Sequence, residues 1–256
     1  MHWQDYWRFL MMLATRYFFV AGIAFLLLYV IFRKWTARKK IQKQFPTGKD
    51  YRREIGYSIV TMIIFAFVPL FVLKSPWLGP HTTYYHNIET HGMVYFILAF
   101  PLLFLIHDTY FYWMHRLIHH KKLFNLVHLV HHQSTNPSPW AAYSFHPLEA
   151  VAEAGIFVVF LFTIPVHPIH LLVFFILMIV YNVYGHLGIE LYPKGFNRNW
   201  FGKWINTSVS HNQHHKYFKG NYGLYFTFWD RLMGTLRSDY DAQFEKVAGG
   251  TANGDA

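Results

Sequence analysis

The chain contains no cysteine. Disulfides, thiolate metal ligands and iron–sulfur clusters built on its own side chains are therefore excluded. Charge is also scarce, at 14% of residues, against about 25% in an average soluble domain. Only 13 residues are acidic, and no Glu-x-x-His pair occurs. That rules out the carboxylate-rich two-metal sites of soluble helical bundles. No internal repeat is evident. What fills the space is apolar: 54% hydrophobic residues, 21% of the chain being aromatic. This is the composition of a membrane protein.

Several apolar runs approach the ~20 residues needed to cross hydrocarbon. They are Tyr17–Phe32, Ile55–Leu73 and Met93–Trp113, followed by a shorter pair, Val151–Pro165 and Ile169–Gly185, around Pro165-Val166-His167-Pro168. The pair reads either as two tight spans or as a re-entrant hairpin. The expected fold is all-α and polytopic, with about four to five membrane segments and a histidine-rich, metal-binding cytosolic part. The first segment lacks a short basic start and a small-residue cleavage site, so it is expected to be a permanent span. Expected regions are 1–92 (membrane helices and a basic loop), 93–240 (the histidine-rich domain) and 241–256 (a disordered tail).

Lysine and arginine set the orientation. The stretch Arg33–Arg53 holds nine of them and Lys74–Gly92 holds one. The first loop is thus predicted to be cytoplasmic and the second external. The next span then returns to the cytoplasm, and the hairpin leaves and comes back. The +10 net charge lies largely in the basic loop, where anionic headgroups are the natural partner and nucleic acid is not.

Nine of the 18 histidines lie in three short clusters. These are His115-x3-His119-His120, His128-x2-His131-His132 and His211-x2-His214-His215. Neutral imidazole is the commonest metal ligand at physiological pH, and residues three and four apart share a helix face. Each cluster can aim two or three imidazoles at one point. Eight or nine such ligands exceed the needs of one metal and suit two. By the charge rule all three clusters fall on the cytoplasmic side. A pair of histidine-bound metals beside a membrane suggests oxidation of a lipid.

Other residues carry weaker signals. Asp108, Tyr112, His115 and His119 form one helical stripe, which makes Asp108 a candidate to hold the outer nitrogen of a ligating histidine. The alternative is a hydrogen bond to another helix. His186 lies just past the hairpin and is a candidate ligand, with Asn182 one turn earlier to support or complete it. His146 reads as structural or supporting, with Glu149 as its partner. His2, His81, His86, His91, His167 and His170 read as surface or interfacial residues, and His107 lies off the stripe. Phe111, Trp113, Trp140, Tyr143 and Phe145 suit channel walls or an aromatic belt equally well.

Over about residues 100–236 the chain resembles the fatty acid hydroxylase/sterol desaturase superfamily of membrane di-iron enzymes. The resemblance lies in Asp108-x3-Tyr112-Trp113-x-His115-Arg116-Leu117-Ile118-His119-His120, in the second and third clusters, and in His146-Pro147-Leu148-Glu149. It continues in Asn221-Tyr222-Gly223 and Trp229-Asp230-Arg231-Leu232-Met233-Gly234-Thr235. It implies a metal-binding set of His115, His119 or His120, His128, His131, His132, His186, His211, His214 and His215. Some relatives carry a histidine where this chain has Asn182. It further implies two iron ions, for which zinc can substitute in purified protein, and no catalytic group beyond the metal centre. The expected reaction is hydroxylation or desaturation of a fatty acyl, sphingolipid or sterol-like lipid by O2 and two electrons. Electrons would come from a separate donor, whether cytochrome b5-like, a ferredoxin or a reductase. Rival readings are an ether-lipid monooxygenase, a metal-dependent membrane hydrolase and a non-enzymatic metal-binding membrane protein.

Overall fold

The computed structural model describes residues 3–250; His2 and the end of the expected tail, 251–256, lie outside them. Among the described residues there are no β-strands, only isolated bridges. The longer helices among the described residues are α1 (Trp3–Phe25), α2 (Gly48–Lys74), α3 (Gly92–Ile118), α4 (Pro147–Thr163), α5 (Pro168–Gly185), α6 (Ser208–Tyr217) and α7 (Tyr240–Ala248). A wider helical turn over Leu26–Ile31 prolongs α1. Four helices, Trp3–Ile31, α2, α3 and α5, are long and apolar enough to cross a membrane. Their outward faces are apolar, with Phe19, Ile63, Leu105, Leu117 and Leu172 exposed, as lipid contact requires.

The first span begins some fourteen residues earlier than the apolar run suggests, because Asp5, Arg8 and Arg16 interrupt the run without ending the helix. Asp5 is compensated by Lys74 at the end of α2, 3.5 Å away. Thr47 and Asp50 cap α2 reciprocally, the Thr47 N–H donating to Asp50 Oδ2 at 2.9 Å. Pro69 and Pro101 sit inside α2 and α3; proline is tolerated in membrane helices, whose neighbours re-satisfy the freed carbonyls. At 17 residues α4 is short, about 26 Å at 1.5 Å per residue, and it packs along α2 and α3.

Two contacts sort the loops into ends. The external-type loop meets the hairpin turn: the Thr83 N–H donates to Leu161 O at 2.8 Å and the Tyr85 N–H to Val166 O at 3.0 Å. At the opposite end, the basic loop meets the chain beyond α5. The Ile41 N–H donates to Gly188 O at 3.0 Å and the Glu190 N–H to Lys39 O at 3.1 Å. The charge-rich loop and the histidine clusters thus share one end of the bundle. His167 and His170, expected at the surface, are instead buried. They cap α5 reciprocally, the His167 N–H donating to His170 Nδ1 at 3.1 Å.

The expected regions pack on one another. Tyr17 and Met62 from the first helices share one core with Phe111, Phe157 and Leu224. The expected disordered tail is also corrected over its first part: α7 buries Phe244 and Val247 against Val209, with Ile41 and Tyr192 alongside. Its apolar positions recur at helical spacing within a polar sequence, a pattern that composition alone hides.

Candidate metal centre

The polar helix α6 is buried along Ser208–His215. A buried polar helix needs partners for its side chains, and here the partners are other histidines. Thr207 caps it, accepting from the Ser210 N–H at 3.2 Å, and the αL residue Phe218 (φ 61°) ends it. Gly220 (φ 82°) turns the chain back so closely that a Cβ there would lie 2.7 Å from the Thr235 carbonyl oxygen. The turn points Gly220 O at His214 Nδ1, 2.8 Å away.

Nine imidazoles converge in two groups: His115, His119, His128, His132 and His214 in site one, and His131, His186, His211 and His215 in site two. In site one, the Nε2 atoms of His115 and His128 are 3.1 Å apart, as are those of His119, His132 and His214 from one another. In site two, Nε2 separations run from 3.0 Å (His186–His211) to 3.4 Å (His131–His186). The sites adjoin: the His132 and His215 ring centroids are 5.0 Å apart.

The other ring nitrogens show what these contacts are. His115 Nδ1 faces Tyr222 O at 2.9 Å, His186 Nδ1 faces Asn182 O at 2.8 Å, and His131 Nδ1 faces Ser144 O at 3.2 Å. His128 Nδ1 faces Glu149 Oε1 at 2.6 Å. Each oxygen accepts, so each of these Nδ1 atoms, with that of His214, carries the proton. Their Nε2 atoms are then bare lone pairs crowded around common points. That arrangement is unfavourable unless a cation lies between them. Nitrogen–metal bonds of about 2.1 Å place neighbouring ligand atoms roughly 3.0–3.4 Å apart, the spacing seen. The donor sets therefore fit two metal ions. Burial, reinforced by neighbouring imidazoles, holds His119, His128, His131, His132, His211 and His215 below the usual imidazole range. Burial lowers His186 to about 4, against the raising effect of the Asn182 carbonyl. All are neutral and able to ligate near pH 7.

Three sequence expectations change. His120 joins neither group: α3 stops at Ile118, and His120 is exposed, its Nδ1 accepting from the Lys122 N–H. Asp108 makes no hydrogen bond to a histidine among the described residues. Its Oδ1 accepts from the backbone N–H groups of Tyr225 (2.8 Å) and Phe226 (3.1 Å), so it ties α3 to the returning chain. Glu149, assigned to His146, instead holds His128, while His146 caps α4 through the Leu148 N–H. Asn182 supports His186 through its backbone oxygen; its side-chain amide donates to Ala142 O at 2.8 Å. Asp230 accepts from the Tyr222 and Gly223 N–H groups at 2.9 and 2.8 Å, which fixes the carbonyl that orients His115. The Trp229–Thr235 block thus acts on the metal site from a distance.

The corrected role of Asp108 has a measurable consequence. Asp108→Ala leaves two buried N–H groups without acceptors, each costing about 1–3 kcal/mol. Its unfolding temperature in detergent should fall, while the folded fraction keeps wild-type metal content. Loss of metal at unchanged thermal stability would return Asp108 to the metal site.

An apolar cavity of about 340 Å3 lies next to both groups, although none of the nine histidines lines it. Phe111, Phe145 and Asn182 line its near end. The Phe111 ring is 4.9 Å from His115, and Phe145 is 5.0 Å from His131. From there the cavity extends between α1, α2 and α5 past Leu13, Leu70 and Leu172.

The family model described as "Fatty acid hydroxylase" matches residues 100–235. A Delta(7)-sterol 5(6)-desaturase of Gibberella zeae is 33% identical over 62% of this chain and 47% of its own length. Lathosterol oxidase of Rattus norvegicus is 30% identical over 72% of this chain and 60% of its own. A Delta(7)-sterol 5(6)-desaturase of Schizosaccharomyces pombe is 26% identical over 90% of this chain and 75% of its own. The chain spans about half the length of the first two curated relatives it matches. No solved structure matches it.

Proposed function

The chain belongs to the fatty acid hydroxylase family, and from that premise we propose that it is a membrane di-iron oxidoreductase that hydroxylates or desaturates a sterol-like lipid. The observation that carries this reading is the convergence of nine imidazoles on two adjoining points next to an apolar cavity. A simple zinc hydrolase needs three protein ligands and an open position; nine imidazoles in a doubled site favour redox chemistry. When bound, the iron pair supplies activation of O2 by two electrons and removal of hydrogen from an unactivated C–H bond.

The chain's own residues do the rest. Five and four neutral imidazoles hold the metals without adding charge. Glu149 and the carbonyls of Tyr222, Asn182, Ser144 and Gly220 fix the rings, which keeps the metal geometry constant. The apolar walls exclude water and admit a lipid from the bilayer between helices. A separate electron donor would approach at the histidine end, where His119 is the least buried of the nine. Purified protein supplied with iron and a reducing system should consume oxygen only when the lipid substrate is present. Comparing membrane lipids of a deletion strain and its parent by mass spectrometry identifies the product. Gain of one oxygen atom marks hydroxylation, and loss of two hydrogens marks desaturation. Oxygen-independent lipid turnover on a zinc-loaded site would defeat the reading.

The basic loop supports a cytoplasmic metal site. Cysteines placed at the exposed positions Gln133 and Lys219 can be probed with an impermeant thiol reagent, since the native chain has none. Both should stay unlabelled in intact cells and react once the cells are opened. Labelling of both from outside would invert the topology.

A further inference from the structure

The cavity lining is mostly apolar. Among its polar residues are Arg16 from α1, Glu153 from α4 and Tyr143 from the short helical turn Pro139–Tyr143, with Arg16 and Glu153 both near enough to act on the Tyr143 hydroxyl. The Arg16 guanidinium lies beside the Tyr143 hydroxyl, within hydrogen-bonding reach, while Arg16 Nε and that hydroxyl make no well-aligned hydrogen bond. Tyr143 is itself 1% exposed and stacked on Tyr17, with ring centroids 5.5 Å apart, so its hydroxyl cannot swing out to water. Ionisable groups inside a membrane span are costly and are kept where they meet a partner. In this chain Arg16 and Tyr143 face each other, and the cavity leaves room for a further partner.

The chemistry of the three groups defines that partner. Arginine only donates, whereas a phenol and a protonated carboxyl group can each donate or accept. Together they match a group that both donates and accepts, which is a hydroxyl. A hydrocarbon would leave all three groups without a ligand partner. We propose that Arg16, Tyr143 and Glu153 form a binding station for the hydroxyl of an otherwise apolar lipid. The station sets which carbon faces the metals.

Its position defines the reacting end. Glu153 lies one helical turn from Glu149, which holds His128. Tyr143 directly precedes Ser144, whose carbonyl holds His131. The station is thus built on the same two segments that support both metal sites, and Leu70 and Leu172 line the apolar remainder of the cavity. The oxidised carbon is then close to the hydroxyl-bearing carbon, and the lipid tail points away from the metals.

This inference rests on the oxidase reading but is tested by binding. Metal-loaded protein in nanodiscs is equilibrated with radiolabelled lathosterol or the same skeleton without its hydroxyl. Parallel samples receive stearyl alcohol, octadecane or stearic acid. The alcohol of at least one pair should be retained at least about tenfold better than its hydrocarbon, since a site built around a hydroxyl rejects the analogue lacking it. Tyr143→Phe and Glu153→Gln, both close in shape to the native residues, should bring that ratio near unity with metal content unchanged. Equal retention or no retention of both members in both pairs overturns the proposal. So does a preference that survives both variants, or stronger retention of stearic acid than of stearyl alcohol. Reductant-driven oxygen uptake on the same samples separates the two ideas. Its absence, with the hydroxyl preference intact, counts against the oxidase reading alone.

Discussion

Replacing His215 by alanine should leave one tightly held metal per chain where the native protein holds two, and should reduce activity by more than about a hundredfold. That figure is the upper end of what loss of a mere supporting contact does; loss of a ligand should exceed it. His215 belongs to the four-imidazole site, so its removal leaves only three ligands. Its neighbour His214 belongs to the five-imidazole site, so His214→Ala leaves four. The His214 variant should therefore still bind two metals at saturation. It should surrender one of them to a chelator at lower concentration than the native protein does. His120→Ala, whose native ring points away from both sites, should match the native protein in metal and activity. Metal analysis after anaerobic iron loading, followed by chelator titration, reads all three. Two tightly held metals in the His215 variant would dissolve the division into sites. Loss of one from the His120 variant would do the same.

The division explains what the sequence could and could not say. Spacing alone shows that His115 and His119, His128 and His132, and His211 and His215 each share a helix face, and the structure keeps each pair in one site. Adjacent residues on a helix point about 100° apart. The doublets His131-His132 and His214-His215 are therefore split, one ring to each metal. His119-His120 looks like a third doublet but is not, because the helix ends at Ile118, and helix ends are the least legible feature of a sequence. The membrane spans were readable because hydrocarbon imposes length and apolarity on each segment by itself. Arg16 was hidden by the same logic, since an arginine breaks an apolar run while leaving the helix intact. Which carboxylate supports which histidine depends on how α3 and α4 pack. Asp108 lies on the ligand stripe yet reaches Tyr225, whereas Glu149 lies off every stripe and reaches His128. A buried glutamate in the first turn of an apolar helix was the available signal for the second of these.

Glu149→Gln should weaken metal binding at site one by about 10–100-fold, the usual effect of removing a carboxylate behind a ligating histidine, while site two binds as before. Glu149 is 1% exposed, and its Oε1 accepts from His128 Nδ1 at 2.6 Å. The contact does two things. It keeps the His128 proton on Nδ1, leaving Nε2 free for the metal, and its charge makes the imidazole a better electron donor. Glutamine keeps the size and can still accept through its amide oxygen, so the ring stays oriented but the charge is lost. Oε2, which has no partner in the protein, becomes an amide nitrogen that gains none, adding a small cost to folding. A purely structural glutamate would show the reverse pattern: lower thermal stability, with both sites weakened equally or not at all. Measuring in the His215→Ala background isolates site one, because its partner site is then empty of tightly held metal. Unchanged affinity there would mean that His128 needs no carboxylate to serve as a ligand.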